Sequence, residues 1–114
     1  MTISERAVGD ITILDIGGRI AVQDGADTFR EVVQRLVGEG RVKLVVNLRA
    51  VPYIDSTALD EIVRAYNSLT RGGGALKLVN LTAKVHALFE LTGLLSVFEC
   101  FETERKAVVG FGQS

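Results

Sequence analysis

Short apolar runs along this chain alternate with longer stretches in which apolar residues recur every three or four positions, the pattern of a sheet covered by helices. Ile11 to Ile16 (ITILDI) ends at Gly17-Gly18, and the weaker run ISERAV precedes it across Gly9-Asp10. Together they predict a β-hairpin. From Ala26 to Val37 the residues Phe29, Val32, Val33, Leu36 and Val37 share one helical face, with Asp24 and Asp27 near its start and Gly38 and Gly40 at its end. Lys43 to Leu48 (KLVVNL) is short, β-branched and apolar on both faces, as a central strand between helices should be.

A second helix follows, with Leu59, Ile62, Val63, Tyr66 and Leu69 at helical spacing and a stop at Arg71-Gly72-Gly73-Gly74. Ala75 to Val79 (ALKLV) is the next strand. Ala83 to Leu91 is a third helix, with a Thr82 cap, Val85, Leu88 and Phe89 on one face, and Gly93 at its end. Val97 to Phe101 (VFECF) predicts a last strand, and Thr103 caps a short terminal helix with Ala107, Val108 and Phe111 facing inward. Strands separated by helices imply right-handed crossovers. The predicted fold is therefore α/β, a mixed and mostly parallel sheet of about five strands with about four helices.

Between the central strand and the second helix stands YIDSTALDEI, residues 53–62, in which Asp55, Ser56 and Thr57 are all residue types that cap helices. One cap suffices. Redundant capping is the plain explanation, and Thr57 with Asp60 three residues later has the spacing of a capping box. The position matters all the same. Backbone N–H groups and the positive end of a helix dipole meet there, so a phosphate on Ser56 would be tolerated locally. Placed beside Asp55, Asp60 and Glu61, it would also add about −1.5 to −2 of charge to a surface suited to docking.

Charge and length narrow the partners. Thirteen Lys and Arg against fourteen Asp and Glu leave a net charge of −1, so no overall basic field holds nucleic acid or an anionic membrane. The 114 residues suffice for one domain with a radius of gyration of roughly 13 Å. The lone Cys100 allows no internal disulfide, and the start MTISERAVGD has no apolar core of export length, so the cytoplasm is the expected location.

Enzyme chemistry finds little material. A hydrolase would take Ser56 as nucleophile and His86 as base, but no G-x-S-x-G elbow surrounds Ser56, and His86 lies within an apolar helical pattern. One Cys and one His offer no metal-ligand spacing. The Gly72-Gly73-Gly74 run lacks the Lys-Ser/Thr of a phosphate loop and reads as a turn. Cys100, alternating within a predicted core strand, reads as a small buried hydrophobe. The sequence calls for no catalytic residue, cofactor or metal.

The strand KLVVNLRAVPYIDST leading into a helix, the Gly-rich turn before ALKLV, and HALFELTGLL resemble the bacterial anti-sigma factor antagonists, the stand-alone STAS-domain proteins. The resemblance runs from about Ile11 to Val109, and it implies that residues 1–114 form one STAS domain acting as a binding module. In that family the serine directly after the aspartate, here Ser56, is phosphorylated by a partner that is both anti-sigma factor and kinase. The unphosphorylated antagonist binds that partner and releases a sigma factor, whereas the phosphorylated form does not bind until a PP2C-type phosphatase removes the phosphate. The resemblance thus implies Ser56 as the modified residue, with Thr57 its less favoured neighbour, and a partner-binding surface of Asp24, Asp55, Ser56, Thr57, Ala58 and Asp60. The chain departs from the family at Ala58-Leu59-Asp60, where Gly-Leu-Gly is usual, and at Gly18-Arg19-Ile20-Ala21, where an acidic residue is frequent. The runner-up is a STAS protein using the same surface in a scaffold or transporter-associated complex without phosphorylation.

Overall fold

A computed structural model describes residues 2–17 and 23–112, with only the backbone of Gln23 and Asp24 included. Strands β1 (Thr2–Val8) and β2 (Ile11–Gly17) form the predicted antiparallel hairpin, with Val8 opposite Ile11. That register leaves a two-residue turn in which Gly9 takes φ +62°, a conformation that side-chain-bearing residues resist. The chain continues through α1 (Gln23–Gly38), β3 (Lys43–Ala50), α2 (Ser56–Arg71), β4 (Ala75–Val79), α3 (Ala83–Leu91), β5 (Glu99–Phe101) and α4 (Glu104–Gly112). The sheet order is β1-β2-β3-β4-β5, parallel from β2 onward, and the radius of gyration is 12.8 Å.

Side chains of successive strand residues point to opposite faces, and the core divides accordingly. Leu14 and Ile16 of β2, Leu44, Val46 and Leu48 of β3, and Leu76 and Leu78 of β4 face one side, where Phe29, Ile62, Leu69 and Phe89 from α1, α2 and α3 cover them. Ile11, Ile13, Val45 and Val79 face the other, covered by Ala107 and Phe111 of α4. Thr103 caps α4 as predicted, its Oγ1 accepting from Lys106 N at 3.2 Å. Gly74 is required for a different reason. A Cβ there would lie 1.9 Å from the carbonyl oxygen of Val42, so only glycine lets α2 return this closely beside β3.

Three local expectations need correction. The last strand starts at Glu99, not Val97, because Leu94–Ser96 forms a 3-10 turn that sends Phe98 into the helix-covered core, against Tyr66 and Phe89. Cys100 is consequently exposed, on an edge strand of three residues. Thr82 stands at the N-cap of α3, yet its side chain makes no capping bond, and its Oγ1 donates instead to the carbonyl of Val51 at 2.9 Å.

Candidate functional site

At the carboxyl end of β3 the segment from Val51 to Asp55 is anchored from below. Val51 and Ile54 are fully buried, Val51 N donates to Leu48 O at 3.0 Å, and Thr82 holds the Val51 carbonyl from the neighbouring loop. Such fixing gives α2 a defined starting point. Asp55 is its N-cap, with extended backbone (φ −95°, ψ 180°), and its Oδ1 accepts from Ala58 N at 2.9 Å. Ser56 and Thr57 are then the first two helical residues, and both are exposed.

The three adjacent capping residue types thus have one capping role among them. Thr57 with Asp60 forms no capping box, because Thr57 already lies inside the helix and Ala58 occupies the third helical position. Among the described residues the Ser56 hydroxyl makes no hydrogen bond. It stands in solvent at the first turn, where unpaired backbone N–H groups and the helix dipole favour negative charge.

The remaining predicted site residues are distributed unevenly. Asp60, one turn after Ser56, is exposed and makes no ion pair among the described residues. Ala58 is buried against the core and underlies the surface without adding a side chain to it. Glu61 turns away from Ser56, being 8 % exposed and paired with Arg30 of α1 at 3.3 Å, so its charge belongs to the α1–α2 contact. Of Asp24 only the backbone position in the first turn of α1 is described, and the Gly18 to Ala21 stretch lies outside the described residues.

His86 and Ser56 are not brought together. His86 is exposed on α3 and lines a hollow with Asn80, Leu81, Cys100 and Glu102, with no hydrogen bond to Ser56. In that hollow partial burial pushes the Cys100 thiol above its ordinary pKa, which disfavours the thiolate a nucleophile needs.

Sequence reasoning missed an apolar patch beside the site. Tyr53 is 47 % exposed and Leu91 is 85 % exposed, and with Lys84, Ala87 and Leu88 they line a shallow groove between the β3–α2 segment and α3. Tyr53 lies two residues before Asp55 in the chain. A sign was present in the sequence, since Leu91 lies six residues after Val85, off the stripe formed by Val85, Leu88 and Phe89.

The sequence profile of the STAS domain matches residues 2–107. The chain belongs to the STAS domain family. Its relatives within that family include the anti-sigma-B factor antagonist of Bacillus subtilis, 35 % identical over 86 residues that cover 75 % of this chain and 77 % of that protein. The anti-sigma-B factor antagonist of Listeria monocytogenes is 33 % identical over 102 residues, 90 % of this chain and 88 % of that one. Among solved structures, a candidate anti-sigma factor antagonist from Thermotoga maritima superposes with a TM-score of 0.89 at 27 % identity, over 95 % of this chain and 92 % of that one. The fold is thus shared over nearly the whole chain.

Proposed function

We propose that this STAS protein is an anti-sigma factor antagonist whose docking is switched off by phosphorylation of Ser56. The observation carrying this reading is that Asp55 caps α2, which leaves the Ser56 hydroxyl exposed and unbonded among the described residues, in a chain whose relatives at 33–35 % identity are named antagonists. The partner is an anti-sigma factor that is also a serine kinase, and a PP2C-type phosphatase reverses the modification. Both act in the cytoplasm. The protein itself contributes a surface and no bond-making chemistry: Asp55, Ser56, Thr57 and Asp60 present polar groups, Ala58 supports them, the Tyr53–Leu91 groove supplies apolar area, and Asp24 belongs to the surface by family resemblance.

A phosphate carried into that surface must lose its water or meet the partner's acidic groups, and like-charge juxtaposition across an interface costs several kcal/mol. About 1.4 kcal/mol is a factor of ten in affinity, so a loss of roughly a hundredfold follows. The decisive experiment incubates the protein with a GHKL-type anti-sigma kinase, ATP and magnesium, maps the phosphate by peptide mass, and measures partner binding by calorimetry. Phosphate on Ser56, retained binding by Ser56→Ala and strongly weakened binding by Ser56→Asp are expected. Phosphate on Thr57 alone, or equal affinity for Ser56→Asp and wild type, would overturn the assignment.

A further inference from the structure

A second concave surface lies between α1 and α2, away from Ser56. It is a cleft of about 250 Å³ whose walls carry Arg30, Arg64 and Arg71 against a single carboxylate, Glu61. With Asp27, which pairs with Arg30, counted beside Glu61, three arginines still leave an excess of one positive charge on a chain whose net charge is −1. The imbalance sits on two particular residues. Arg30 is held by Asp27 at 2.9 Å and by Glu61 at 3.3 Å, whereas Arg64 and Arg71 make no ion pair among the described residues. Arg71 alone would be unremarked, since a cation in the last turn complements the helix dipole. Its convergence with Arg64 on one cleft is what calls for an anion.

We infer that the α1–α2 cleft binds a compact polyphosphate, with Arg64 and Arg71 gripping two phosphoryl groups. The two arginines are seven residues apart on α2, about 10 Å along the helix axis, so their side chains reach toward a ligand between them from either end. Guanidinium forks match phosphate oxygens in pairs, which suits this wall better than a single point charge would. Gln34, Asn67 and Ser68 add neutral hydrogen-bonding groups, and Val33 and Ala65 form the apolar floor. At about 250 Å³ the cleft has room for a small anion such as pyrophosphate. Glu61, buried and already engaged with Arg30, repels an anion from its end and confines it to the Arg64–Arg71 end.

Titration of the isotopically labelled full chain with inorganic pyrophosphate tests this directly, at constant ionic strength and with citrate as a parallel arm. Saturable shifts should centre on the backbone amides of Arg64, Asn67, Ser68 and Arg71, and citrate should bind at least tenfold more weakly. The double variant Arg64→Gln, Arg71→Gln should lose at least tenfold in affinity. Should that variant unfold at lower urea, Arg64→Lys with Arg71→Lys keeps both charges and should still lose severalfold by removing the forks. Shifts that rise without saturating, that centre on Ser56 and Thr57, that citrate reproduces at equal affinity, or that persist at wild-type affinity in both double variants would each overturn the inference. None of these outcomes depends on phosphorylation of Ser56.

Discussion

Asp55 Oδ1 accepts the backbone N–H of Ala58 at 2.9 Å, and this bond releases Ser56 from the structural duty its residue type would otherwise serve. Capping by Asp55 assigns stability to one residue and an accessible hydroxyl to the next. Asp55→Ala should therefore destabilise the fold by about 1 kcal/mol through the lost cap. Asp55→Asn, which keeps the accepting oxygen, should restore most of it. Ser56→Ala should stay within about 0.5 kcal/mol of wild type, as surface substitutions generally do. Urea midpoints of the three variants check the division of labour, and a Ser56→Ala loss equal to that of Asp55→Ala would refute it.

Asp60 separates charge from helix propensity. It lies at the fifth helical position, past the first turn where the dipole acts, and has no capping role. Asp60→Ala should raise stability by a few tenths of a kcal/mol, because alanine is the better helix former by up to about 0.7, while Asp60→Gly should lower it by a similar small amount. Both remove a carboxylate one turn from Ser56. Both should therefore speed phosphorylation of Ser56 relative to wild type, and initial rates compared with urea midpoints would test this. Slower phosphorylation in both variants would mean that the kinase reads the carboxylate.

The sequence made most of this architecture legible because two periodicities rarely confuse one another over eight or more residues. ALKLV lies between a glycine turn and the start of the third helical pattern, and it matches β4 at both ends. VFECF fails where the argument is thinnest, since five residues of mostly apolar character suit either a buried strand or a turn that buries Phe98 alone. The register of α2 was ambiguous for a related reason: Asp55, Ser56 and Thr57 can each cap. Burial of Ile54 together with Ala58, Leu59 and Ile62 selects the first of them. The Arg30–Glu61 pair was hidden from sequence because it depends on which helices become neighbours, a property of three dimensions alone.

Acid should loosen the attachment of α4. Arg6 of β1 forms a bidentate pair with Asp15 of β2, at 2.6 and 2.9 Å, and also donates to Glu104 at the start of α4. Asn47 of β3 donates to Glu104 at 2.9 Å. The hydrogen bond from Arg6 is the main cause holding the Glu104 carboxyl below its ordinary value of 4.5, with Asn47 assisting against partial desolvation. A depressed folded-state pKa stabilises the protein above the unfolded value, and that contribution is lost as pH falls through the folded one. Wild type should accordingly lose stability more steeply below about pH 4.5 than Glu104→Gln does, while being the more stable of the two at neutral pH. Asp10, whose carboxyl is lowered chiefly by its hydrogen bond with Lys43, is 73 % exposed, so Asp10→Asn should alter the profile far less. Urea midpoints at a series of pH values would read all three, and parallel curves for wild type and Glu104→Gln would count against the Arg6–Glu104 linkage.

Leu91 offers the sharpest contrast between folding and docking. A leucine 85 % exposed at the end of α3 stabilises little in the isolated protein, and replacing it with glutamine should change the stability read from urea unfolding by no more than about 0.5 kcal/mol. Under the antagonist reading its exposure ends when the partner arrives, because the groove it forms with Tyr53 and Leu88 adjoins Ser56. Full burial of a leucine side chain contributes about 1.5–3 kcal/mol. Loss of that contribution corresponds to more than a tenfold fall in affinity. Leu91→Gln should therefore weaken partner binding by at least that factor while Ser56 is still phosphorylated at the same position on prolonged incubation. Calorimetry that found wild-type affinity for Leu91→Gln would remove the apolar groove from the docking surface.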